Sequence, residues 1–130
     1  MKPLETKRIA VALTAVVAAL AAVPVSAAKD GDVLVQGACT GATTSKLKLS
    51  EEDGRIEVEF EVDQNRNGVR WTVTLRRPAS VLVRTTRVTR GPSGSFELRR
   101  VVGNRAGPDR IIARATRASG EVCRAAATFV

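Results

Sequence analysis

Across residues 55–62 the chain alternates without a break. Ile56, Val58, Phe60 and Val62 take every second position, and Glu57, Glu59 and Glu61 fill the positions between. A strand turns successive side chains to opposite faces, so this period of two predicts a strand with one buried and one solvated face. The alternation returns over 69–75, with Val69, Trp71, Val73 and Leu75 on one side and Arg70, Thr72 and Thr74 on the other. Less regular versions predict further strands near 33–39, 46–50, 81–89, 96–102, 110–117 and 121–129. Turn-forming residues separate them: Glu52-Asp53-Gly54, Asn67-Gly68, Pro78-Ala79-Ser80, Gly91-Pro92-Ser93-Gly94, residues 103–108 and Ser119-Gly120. No stretch of helical period and length follows residue 28. Seven to eight short strands predict an all-β fold, an immunoglobulin-like antiparallel β-sandwich.

The segment between the two clearest strands, Asp63-Gln64-Asn65-Arg66-Asn67-Gly68, matches the first half of an EF-hand calcium loop. Such a loop needs oxygens at positions 1, 3 and 5, glycine at 6 and a bidentate glutamate at 12. Asp63, Asn65, Asn67 and Gly68 supply the first four requirements, but position 12 is Thr74, and the residues after Gly68 alternate as a strand where an EF-hand continues as a helix. The reading we prefer is a turn. A hairpin of 55–62 with 69–76 would set Val62 opposite Val69, Phe60 opposite Trp71, Val58 opposite Val73 and Ile56 opposite Leu75, and on the other face Glu61 opposite Arg70. If the two strands enter opposite sheets instead, the segment still serves as a turn.

The N-terminus changes the picture of where this domain works. Lys2, Lys7 and Arg8 precede an uncharged run over 9–23, and Pro24-Val25-Ser26-Ala27-Ala28 follows it. A basic start, an apolar middle and small residues before the return of charge describe a signal peptide helix over 1–28. Cleavage fits after Ala27 or, preferably, after Ala28; the rival is an uncleaved anchor over 9–28. Residues 29–130 then form a single secreted domain with no later apolar run able to span a membrane. Its two cysteines, Cys39 and Cys123, sit on the predicted inward face of the first and last strands. An oxidising compartment predicts a bridge between them, and two cysteines with no histidine in the chain make a poor zinc set. Closing the 84-residue loop between Cys39 and Cys123 contributes roughly 4 to 5 kcal/mol on a chain-entropy model.

Charge is divided along the chain. Residues 29–63 hold four basic and nine acidic side chains, and residues 64–130 hold fourteen and three. Arg84, Arg87, Arg90, Arg99, Arg100, Arg110, Arg114 and Arg117 could converge on one patch for a polyanion, an anionic envelope polymer among them. The competing reading is an ordinary solvated surface, with Glu57, Glu59 and Glu61 pairing some of the arginines across a sheet. Phe60, Trp71, Phe96 and Phe129 read as core, which leaves no exposed aromatic to stack on bases or sugars and argues against nucleic acid as a partner. Without histidine there is no Ser-His or Cys-His arrangement. The three glutamates at spacing two form a solvated strand face and not a hydrolytic carboxylate pair. The expectation is a non-catalytic protein without a cofactor.

Four segments, KLKLSEEDGRIEVEFEVDQNRNG (46–68), GPSGSF (91–96), AGPDRIIARA (106–115) and GEVCRAA (120–126), together resemble a group of small secreted actinobacterial proteins. The resemblance implies secretion, two cysteines near the ends of the mature chain and a sandwich fold, and carries no activity or site residue. These readings together predict a secreted binding or structural module of the cell envelope or extracellular space, whose partner is an anionic polymer or another secreted protein. The alternative is a small basic effector, of inhibitor or antimicrobial type, that binds polyanions through its arginines.

Overall fold

The computed structural model describes residues 30–130, so the expected signal peptide over 1–28 lies outside the described residues. Nine strands follow in order: β1 (Val33–Gln36), β2 (Ala38–Cys39), β3 (Thr44–Glu52), β4 (Arg55–Asp63), β5 (Arg70–Arg77), β6 (Ser80–Val88), β7 (Ser95–Gly103), β8 (Asp109–Arg117) and β9 (Val122–Phe129). They form two antiparallel sheets, one ordered β1-β3-β4-β7 and the other β2-β9-β8-β5-β6. The all-β sandwich expected from the alternation is present. The stretch read as one first strand is two, because the chain leaves one sheet for the other at Gly37. A Cβ at Gly37 would lie 2.1 Å from Ser45 Oγ and 2.9 Å from the Arg124 carbonyl, so only glycine lets the backbone pass there. Among the described residues no helix is long and apolar enough to cross a membrane.

The alternating positions meet in one core. Leu47, Leu49, Ile56, Val58, Phe60, Val62 and Leu98 project from the four-stranded sheet, and Trp71, Val73, Leu75, Ile111 and Phe129 from the five-stranded one. Large side chains on β3 and β4 are matched by alanines on β8 and β9, where Ala113, Ala115, Ala125 and Ala127 are all buried. Such complementarity lets two sheets approach to about 10 Å with interior density. Trp71 touches Phe96 across the sandwich, with ring centroids 6.3 Å apart and planes tilted by 54°. All four aromatic residues are core, as expected.

The Cys39–Cys123 bridge is present. The two residues stand directly opposite one another on β2 and β9, so the bridge ties the short first strand of the five-stranded sheet to its neighbour within one sheet.

The expected hairpin of 55–62 with 69–76 does not form. β4 lies between β3 and β7, and β5 between β6 and β8, in opposite sheets. β4 instead makes its hairpin with β3 through the two-residue turn Asp53-Gly54, the tightest connection available to it. Its glutamates then find lysines that alternate in step with them: Glu61 stands opposite Lys46 and Glu59 opposite Lys48. Arg70, expected opposite Glu61, stands opposite Val88 on the far side of the molecule.

Candidate functional site

Residues 64–69 carry the chain from one sheet to the other, and their polar groups are used in doing so. Asp63 Oδ1 accepts the Asn65 amide at 3.0 Å while Asn65 adopts a left-handed φ of 56°, a turn closed by an aspartate side chain. Thr89, buried at 1% exposure, fastens the other side. Its hydroxyl donates to the Arg66 carbonyl at 2.6 Å and accepts the Val69 amide at 2.9 Å. Gly94, at φ 69°, packs so closely that a Cβ would stand 2.2 Å from the Arg66 nitrogen. Trp71 Nε1 donates to Gln64 Oε1 at 3.1 Å, which joins the crossing to the core. Of the calcium-loop residues, Asp63, Asn65 and Asn67 belong to this crossing, whereas Thr74, the twelfth position, sits on the outer face of the five-stranded sheet between Arg114 and Arg84. Among the described residues no group of three or more His, Cys, Asp or Glu side chains is placed to hold a metal ion.

The arginines divide by sheet and by face. Strand parity places Arg110 and Arg114 of β8 and Arg84 of β6 on the outer face of the five-stranded sheet, where all three are exposed. Arg70 and Arg76 of β5 and Arg124 of β9 join them. The other outward positions of β5, β6, β8 and β9 hold threonine, valine, isoleucine and alanine, and none is acidic. Arg124 stands directly opposite Arg114, Arg114 opposite Thr74, and Thr74 opposite Arg84, so one row across four strands carries three guanidinium groups. Arg76 hydrogen-bonds the carbonyls of Arg77 and Pro78, whereas Arg70, Arg84, Arg110, Arg114 and Arg124 make no ion pair among the described residues.

Five of the eight arginines read from the sequence are elsewhere. Arg99 lies on the outer face of the four-stranded sheet, bound to Glu57, and Arg100 stands opposite Val58 on that sheet's inward side at the edge. Arg87 stands opposite Trp71 on the inward side of β6 and donates to Thr85 Oγ1 and the Thr86 carbonyl. Arg87 and Arg90 border a groove of about 550 Å³ between β6 and β7, lined also by Phe96 and Glu97. Arg117 lies over Trp71, its guanidinium carbon 5.7 Å from the ring centroid, and pairs with Glu121 at 2.7 Å. Conversely, Arg70, Arg76 and Arg124 lie on the outer face of the five-stranded sheet without belonging to the eight arginines that the sequence singles out. For Arg124 the signal was available, since it separates inward Cys123 from inward Ala125.

The opposite outer face is built differently. There Lys46 pairs with Glu61 at 3.6 Å, Lys48 with Glu59 at 3.7 Å and with Asp32 at 3.8 Å, and Arg99 with Glu57. A hydrogen bond from Arg99 pushes the Glu57 carboxyl down to about 2. Its neighbour Glu59 moves the other way: burial, then Glu57 and Glu97, raise it above the usual carboxylate value.

Inside, one ion pair closes an end of the sandwich. Arg77, at the end of β5, grips Asp109, at the start of β8, with Nε and Nη2 each 2.8 Å from a carboxylate oxygen. Nη2 also donates to the Gly103 carbonyl, and the Arg105 amide donates to Asp109 Oδ2 at 3.2 Å. The Arg77 hydrogen bonds hold the Asp109 carboxyl below its ordinary range. Every member is satisfied, the condition under which a buried pair is tolerated, so this carboxylate has a structural role.

Compared with known protein families and with curated proteins, the chain matches none.

Proposed function

We propose that the protein is a non-catalytic binding module of the cell envelope or extracellular space, and that its ligand is an anionic polymer held on the outer face of the five-stranded sheet. The observation that carries this reading is the composition of that face: Arg70, Arg76, Arg84, Arg110, Arg114 and Arg124 with no carboxylate among them. An unpaired single-sign surface raises the local concentration of an oppositely charged chain and steers it in. Secretion rests on the leader pattern of residues 1–28 and agrees with a bridged cysteine pair, which persists in oxidising compartments. The immunoglobulin-like reading rests on strand number and on the buried Trp71; the β3–β4 hairpin is where the strand order departs from the usual ABED sheet.

The test is co-sedimentation of the purified protein with a bacterial envelope fraction at about 20 mM and about 500 mM salt, on either side of the regime in which exposed charges are screened. Binding at low salt that is lost at high salt supports the reading. Salt-resistant binding assigns the interaction to a shape-matched protein surface, and absence of binding at both removes the envelope from it.

A further inference from the structure

Resting on that reading, we infer that the arginine face recognises phosphate, and that the pair Arg114–Arg124 is its central contact, the occupant being a linear phosphodiester polymer of polyol repeats. The two residues are directly opposed on adjacent antiparallel strands. In such a ladder the Cβ atoms are about 4.5 to 5.5 Å apart, close enough for like charges to be destabilising. On its other face the same chain sets Lys46 opposite Glu61 and Lys48 opposite Glu59, and the like-charge pair there, Glu61 opposite Glu97, has the Lys46 ammonium beside it. The β8–β9 pairing therefore brings together two cations that make no ion pair among the described residues, and an anion seated between them removes the repulsion.

The chemistry of the face selects the anion. Guanidinium groups offer paired donors that fit phosphate oxygens in bidentate fashion. One phosphate bridges Arg114 and Arg124, and Arg84 lies two strands beyond Arg114, roughly 10 Å away at the usual strand spacing, in reach of a later phosphate on the same chain. Thr74 lies between them and offers a hydroxyl to the linking polyol. The aromatic side chains are all buried, so a polymer that relies on base or sugar-ring stacking finds no platform.

The experiment measures binding of the full chain to a synthetic glycerol-phosphate oligomer, a polyglutamate of equal charge and an oligothymidylate of equal charge, with wild type and the variants Arg114→Gln, Arg124→Gln and Arg99→Gln. We expect the glycerol-phosphate oligomer to bind more tightly than polyglutamate. Either face variant should weaken that binding roughly tenfold, with Arg99→Gln, on the other face, close to wild type. Each lost contact should lower the slope of log affinity against log salt by roughly 0.7, the value for single-stranded phosphodiester chains. Without ligand, Arg114→Gln should melt higher than wild type at low salt, because the repulsion is gone. Equal binding of polyglutamate and glycerol phosphate would show a face that reads charge alone and overturn the inference while leaving the proposed function standing. Tighter binding of oligothymidylate would overturn it in favour of nucleic acid. Binding of no oligomer would remove the proposed function as well. An Arg114→Gln variant that melts lower than wild type and binds unchanged would show that the pair is structural.

Discussion

The two outer faces of this sandwich are made from the same kind of strand and carry opposite designs. On β3, β4 and β7 acidic and basic positions are interleaved and give the pairs Lys46–Glu61, Lys48–Glu59 and Arg99–Glu57, although Glu61 also stands opposite Glu97. On β5, β6, β8 and β9 the outward charges are all arginine, and Arg114 faces Arg124 directly. Exposed cross-strand pairs contribute only roughly 0.2 to 1 kcal/mol each, so a sheet face can forgo them without unfolding. Surface charge of one sign is tolerable because water screens it. A charge without a partner becomes expensive only where water is excluded, and there Arg77 and Asp109 are paired.

That last contrast gives the largest expected effect. Asp109→Ala leaves Arg77 buried without its carboxylate, and equilibrium urea unfolding should show a loss of about 3 to 5 kcal/mol. A loss below about 1 kcal/mol, as for an exposed pair, would show that water reaches the site.

Acid should reach the same pair. The folded-state values of Asp109 and Glu57 are both depressed, so their contribution to stability is complete above the unfolded carboxylate range near pH 4 and is lost as pH falls through the lower folded values. Glu59, whose value is raised, opposes this: it favours the folded state in acid and loses that contribution as pH rises through its folded value. Unfolding measured between pH 2 and pH 7 should therefore show stability falling below about pH 4, with the fall reduced in Asp109→Asn. An unchanged profile in that variant would place the acid sensitivity elsewhere.

Glu59→Lys makes the paired face resemble the arginine face, because residue 59 then stands as a cation between Lys48 and Arg99. We expect a loss of about 1 to 2 kcal/mol at low salt, much of it recovered at high salt. Arg114→Glu makes the reverse change by giving Arg124 a partner. The melting temperature should rise by a few degrees at low salt, the smallest of these effects and the only one in the stabilising direction. A fall would show that the arginine face has compensations absent from its charge pattern.

The alternation of apolar and polar residues was enough to place seven of the nine strands to within a residue or two, merging only β1 and β2 into one, and to put Phe60, Trp71, Phe96 and Phe129 inside. It could not say which strands lie side by side. Ile56 to Val62 and Val69 to Leu75 match one another as well as they match their real neighbours, and in the fold they belong to different sheets. The candidate site suffered from the same gap. Arg99 and Arg114 are both outward by parity, yet one lies beside Glu57 and the other beside Arg124.

What the chain's own order of residues determined is local: strand period, turn positions, the inward parity of Cys39 and Cys123, and the excess of arginine after residue 63. These follow from the two-residue repeat of a strand and the backbone preferences of turn residues, which act between neighbours in sequence. Only the tertiary structure decided that six arginines share one face without a carboxylate. It also decided that 64–69 crosses the sandwich instead of closing a hairpin, and that Arg77 meets Asp109 across 32 residues of sequence. Those outcomes depend on which strands pair, and pairing is chosen by the packing of a whole core that no single segment encodes.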